Sequence, residues 1–311
     1  MKKLVLLLGA LSLVSSVAYA KEVVPAVEEV TVVEEAPVAA PMLRVTNVGQ
    51  FIEVDNKSGS SDIGEDVFFG TNVGLAYGDD WTFGLMASKI WDMDTDGIHS
   101  KNHRIELDAW RHFDNFSVGA RWRQESGKDR YLARVKYNYG MFSGWVDAGY
   151  ESQNEGTAGH TWDDNWYSEG MPVAVTVGPV TLGYYYEYFN YLGENNASEN
   201  YQETNLAHQL RAMFPIYSGE KLTLSGEYRY QFAQDIDQYD KNEKGVKAGE
   251  NWQELNRHIA ILNASYALTD SLSVSGYYRY DWNKYEGNGH GVQDKDDNYY
   301  GEFSIGWNYT F

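Results

Sequence analysis

The chain has 311 residues, with 25 Lys and Arg against 45 Asp and Glu, no cysteine, 6 prolines and 25 tyrosines. Zero cysteine excludes a disulfide framework, a thiolate zinc site and a cysteine nucleophile, and a net charge of −20 opposes nucleic-acid binding, which needs a basic footprint. Beyond residue 20 no apolar run reaches the roughly 18–20 residues of a membrane-spanning helix, so a helical membrane protein is excluded. The first element is Met1 to Ala20. Lys2 and Lys3 form a basic start, Leu4 to Val14 an apolar stretch, and Ala18-Tyr19-Ala20 a small-x-small cleavage site. Residues 1–20 therefore read as a cleaved export signal, and no following cysteine offers a lipid anchor. Residues 21–41 change texture: Pro25, Pro37 and Pro41 interrupt a Val-, Ala- and Glu-rich stretch without helical or strand period. A semi-extended periplasmic tail is predicted, available to cell wall or subunits.

From residue 42 to 311 one pattern repeats. Ten to fourteen residues alternate apolar and polar, a very short turn follows, then another alternating run, then a longer polar connection. The last run is the clearest, with Phe303, Ile305, Trp307, Tyr309 and Phe311 on one side and Glu302, Ser304, Gly306, Asn308 and Thr310 on the other. Runs fall near 43–55, 65–77, 81–92, 103–113, 116–125, 130–140, 142–152, 165–178, 180–192, 202–215, 221–233, 252–267, 271–285 and 298–311. Those near 43–55, 165–178 and 252–267 alternate poorly. Six short turns carry turn chemistry: Gly78-Asp79-Asp80, Asp114-Asn115, Gly140-Met141, Gly178-Pro179, Ser218-Gly219-Glu220 and Thr269-Asp270. The connections around 56–64, 93–102, 126–129, 153–164, 193–201, 234–251 and 286–297 are mostly longer. This asymmetry predicts an all-β, transmembrane, antiparallel up-and-down β-barrel of about 14 strands, with 12 or 16 as the alternatives. Both termini are then periplasmic. Leu222–Tyr230 repeats as Leu272–Tyr280 at a shift of fifty, with His208 matching His258, as a duplicated hairpin or a shared amphipathic template would.

Side-chain parity then assigns the faces. The polar face carries too many charges for a dry core, so apolar residues are placed against lipid and charged ones around an aqueous lumen. Aromatics near the short turns (Trp81, Phe116, Phe142, Phe214, Tyr266, Phe311) and toward the longer connections (Trp91, Tyr131, Tyr150, Tyr230, Tyr280) fit two interfacial belts. The predicted pore-lining residues are Arg104, Glu106, Asp108, Arg121, Arg123, Arg134, Lys136, Asp147, Glu187, Arg211, Glu227, Arg229, Arg279 and Asp281. Mixed signs imply paired ladders, solvating water, or both. Acidic outer connections point to weak cation selectivity, against which the arginine-rich wall pulls. A purely structural role for the ion pairs in a filled barrel is the competing reading.

Other chemistry is poorly supported. Asp92, Asp94 and Asp96 with Gly97 match the opening of a calcium loop, but the twelfth position is His103 and no helices flank it. A weak surface calcium site, bridging lipopolysaccharide phosphates, is the most this motif offers, and no other cofactor is expected. The seven histidines form no metal-ligand or nucleophile motif, so no enzymatic activity is expected.

The start Met1-Lys2-Lys3-Leu4, the junction Ala20-Lys21-Glu22-Val23, the Val/Pro/Glu tail and the terminal Phe311 resemble the fusobacterial major outer-membrane porins of the FomA type. The strand texture is more loosely similar to oligogalacturonate-specific porins. The resemblance implies a non-specific diffusion channel in the outer membrane that forms homotrimers. The expected function is passage of ions and small hydrophilic solutes, with contacts to outer-membrane lipid and lipopolysaccharide. The alternative is a barrel acting as adhesin or receptor through acidic loops.

Overall fold

Alternation with few prolines leaves every backbone N–H and C=O of these runs free for ladder pairing, and strands result almost throughout. The computed structural model describes residues 42–57, 66–94, 97–153, 164–192, 202–238, 252–253, 257–283, 286–287 and 298–311. Residues 1–41, where the leader and tail are expected, lie outside them. The strands are β1 (Leu43–Lys57), β2 (Asp66–Tyr77), β3 (Trp81–Asp94), β4 (Gly97–His112), β5 (Phe116–Glu125), β6 (Lys128–Tyr139), β7 (Phe142–Gln153) and β8 (Asn165–Val177). They continue as β9 (Val180–Tyr191), β10 (Gln202–Ser218), β11 (Leu222–Gln238), β12 (Trp252–Gln253), β13 (Arg257–Ala267), β14 (Leu272–Asn283), β15 (Glu286–Gly287) and β16 (Asn298–Thr310).

Each long strand pairs antiparallel with its neighbours in sequence, and β1 pairs with β16 to close the ring. The two-residue β12 and β15 pair with each other beside β11 and do not add staves to the wall. The barrel has fourteen strands. Following the registers once round returns to β1 displaced by about 16 residues, a stagger that tilts the strands by roughly 40°.

The short turns fall where turn residues predicted them. Gly78, Gly140 and Gly178 adopt φ of 58°, 61° and 59°, the left-handed region that a side chain would strain. Two expectations need correction. The connection around 93–102 is mostly strand, because β3 and β4 pair through Asp94 and Gly97. Residues 126–129 form only a tight turn, with Glu125 opposite Lys128. Within the run 252–267 the described residues fall in β12 and β13, which share one register against β11.

The faces separate by parity, with Leu132, Met213, Ile259 and Ile261 as apolar exceptions buried on the inward side. Trp307 is 38% exposed and Phe311 73%, whereas Asp147 is 1% and Asp281 0% exposed. Leu85, Leu107, Leu182, Leu210 and Leu262 are exposed on the outside too, so the outer wall is apolar and the polar groups turn inward. Aromatics line up across strands on the outer face. Trp122, Tyr131, Tyr150 and Trp166 are successive cross-strand partners, and so are Tyr230, His258 and Trp282. The fifty-residue repeat corresponds to hairpins β10–β11 and β13–β14. In each, the matching histidine accepts or donates at Nδ1 to a tyrosine hydroxyl at 2.6 Å, Tyr184 for His208 and Tyr228 for His258.

Candidate functional site

The fourteen residues predicted to line the pore share one face of the sheet by register, and most touch one another. The densest part spans β4 to β7. Arg121 makes a two-pronged contact with Asp108 at 2.9 and 2.8 Å and lies 3.5 Å from Glu106. Arg123 stands 2.7 Å from the same Glu106. Arg134 bridges Asp108 at 2.6 Å and Asp147 at 2.9 Å. Toward the β5–β6 turn, Arg104 holds Glu125 at 2.8 Å, and Glu151 takes both Arg130 at 2.7 Å and Lys128 at 3.4 Å. Register explains the lattice. Glu106 faces Arg123, Asp108 faces Arg121, and Arg134 faces Asp147, so opposite charges meet directly across hydrogen-bonded strands.

Rings complete this wall. Arg134 and Lys136 lie over the Trp110 ring at 4.8 and 4.5 Å, and Arg104 over Phe68 at 5.4 Å. A second lattice runs from β11 to β16 and on to β1. Arg229 donates to Glu227 at 2.6 Å, and Arg257 and Arg279 both donate to Asp281 at 2.8 Å. Arg279 also reaches Glu302 at 3.1 Å, and the Tyr277 hydroxyl sits between Glu302 and Glu53, 2.6 Å from the latter.

Between the two lattices, β8 to β10 carry tyrosine and glutamate. Tyr185 donates to Glu169 at 2.8 Å and Tyr167 to Glu187 at 3.2 Å, a reciprocal exchange between adjacent strands. The guanidinium of Arg130 covers the Tyr167 ring at 3.9 Å, and that of Arg211 covers Tyr185 at 3.4 Å. Arg211 otherwise bonds Gln209, at 3.2 and 3.0 Å. Glu53, Tyr167, Glu169, Tyr185 and Tyr277 were not among the predicted lining residues. Parity marks Tyr167 and Glu169, but a register shift between Gly170 and Val173 around Pro172 blurs the alternation of β8.

Charged side chains inside the ring keep contact with solvent: the side chains of Arg121, Arg134 and Arg229 are 11%, 10% and 15% exposed. Asp92 and Asp94 belong to the end of β3, paired with His99 and Gly97, and Asp96 lies outside the described residues. No group of three or more potential metal ligands occurs among the described residues.

Among solved structures, the chain is similar to one described as a bacterial polysaccharide outer membrane secretin, with a TM-score of 0.50, 11% identity, and coverage of 86% of this chain and 98% of that one. This is the fold of outer-membrane β-barrels. Weaker likenesses are to OmpT, an outer membrane protein of Vibrio cholerae (TM-score 0.44, 14% identity, 86% and 98% covered), and to an anion-selective porin from Comamonas acidovorans (0.43, 10%, 88% and 100%). No family model and no curated protein sequence matches the chain.

Proposed function

We propose that this protein is an outer-membrane porin, a passive diffusion channel for ions and small hydrophilic solutes. The observation that carries the reading is the inside of the ring: a fourteen-strand wall whose inner face is charged from β4 to β7 and from β11 to β16, with arginines that still contact solvent. A barrel of this strand number encloses more space than its side chains fill, and a dry interior would not tolerate so many charges. The apolar outer wall with cross-strand aromatic rows supports placement in a bilayer. Export with removal of residues 1–20, lipopolysaccharide contact at the outer rim and assembly as a homotrimer belong to the same proposal.

Recording from purified, refolded protein in a planar lipid bilayer tests it. Stepwise, ohmic currents are expected in simple salt. A chain that inserts and stays silent would leave the adhesin or receptor reading in its place.

A further inference from the structure

Ion preference in a wet passage follows charge that nothing nearby cancels. A carboxylate touching a guanidinium presents a dipole, whose field is short, whereas an uncompensated one presents a monopole. Glu106, Asp108, Glu125, Asp147 and Glu151, on β4, β5 and β7, each stand against an Arg nitrogen. Glu169 and Glu187 differ. Among the described residues, neither has a Lys, Arg or His nitrogen within the 4.0 Å of an ion pair, and each is held only by a tyrosine hydroxyl. A hydroxyl positions the carboxylate without removing its charge. Arg130 and Arg211 are near, but their guanidiniums stack on the rings of Tyr167 and Tyr185, and Arg130 is already committed to Glu151.

The register sharpens the deficit. Asp147, Glu169 and Glu187 are successive cross-strand partners on β7, β8 and β9. One arginine, Arg134, serves this row, and it is shared with Asp108. Asp147 is 1% exposed, and its Oδ1 has no hydrogen-bond partner. Among the described residues the row is short of positive charge within ion-pair reach.

We infer that Glu169 and Glu187 give the channel a preference for cations, an inference resting on the diffusion-channel reading above. The pair acts as a specificity determinant, with Tyr167 and Tyr185 as positioning residues that hold the carboxylates at the wall.

The test is the reversal potential of the refolded full chain under a potassium chloride gradient. Wild type is expected to reverse on the cation side, and the Glu169→Gln/Glu187→Gln double variant to lose about twofold or more of its potassium-over-chloride permeability ratio. Glutamine keeps a carbonyl oxygen for each tyrosine hydroxyl, so the barrel retains its contacts. The single variants give intermediate shifts and stand in if the double variant does not refold. A conducting double or single variant with an unchanged reversal potential overturns the inference and leaves the channel standing. A wild-type chain that inserts without conducting overturns both.

Discussion

The inner faces of β4 to β7 and of β1 to β3 belong to one ring and are built on different chemistry. The first is a lattice of arginines and carboxylates in which most charges touch an opposite one. The second presents Asn47, Gly49, Phe51, Gly70, Gly74, Ala76 and Ser88, small or neutral groups apart from Glu53, Asp55 and Asp66 toward one rim. Its side chains are held by packing: the Phe51 ring covers Gly70, and Asn47 fills the space above Gly74 and donates to Asn308 at 3.1 Å. Long charged side chains occupy volume on one side and leave it free on the other. The two arcs thus form a charged bank and a neutral bank of one ring.

This contrast can be broken at single residues. The largest effect is expected at Arg134→Ala, which leaves Asp108 half-served and the buried Asp147 with no cation, a loss of about 3–5 kcal/mol. Urea unfolding in lipid vesicles, followed by tryptophan fluorescence, measures it. A loss under about 1 kcal/mol, the scale of an exposed pair, would mean that the lattice does not tie the wall together.

On the neutral bank, Gly70→Ala tests packing instead of charge. A Cβ there would come 2.2 Å from the Phe51 ring, so a cost of about 1–3 kcal/mol is expected in the same assay. Smaller in stability per residue, but readable electrically, is the combined Arg121→Ala, Arg123→Ala and Arg134→Ala change. It unmasks Glu106, Asp108 and Asp147 and moves the reversal potential toward cations. No movement would place that wall away from the path of the ions.

Much of this architecture was legible from parity, because a strand's period of two makes each residue's side follow from its neighbours. The fourteen staves, the six short turns and the inward direction of Arg121 or Asp281 follow that way. The failures have local causes. Two of the runs that alternate poorly contain irregularities: a register shift between Val45 and Asn47 in β1, and another around Pro172 in β8. The outer connections at 93–102 and 126–129 read as loops because Asp, Gly, Ser and Lys dominate them, yet ladder pairing continues almost to the tip. Ion-pair partners were legible only as far as register. The exchange of Tyr167 and Tyr185 between neighbouring glutamates needed the side-chain geometry, since nothing in composition links a tyrosine to a carboxylate on the next strand.

Where the ring closes, Asn47 lies opposite Thr310, and the amide of Phe311 donates to the carbonyl of Thr46 at 3.1 Å. The first and last staves thus finish side by side at the rim that carries the tight turns. Covalently joining these ends and cutting the backbone within a long connection on the opposite rim would rotate the order of the staves while preserving every neighbour relation. The seam fixes only the order in which the staves follow one another along the chain, and the cylinder itself has no preferred first strand.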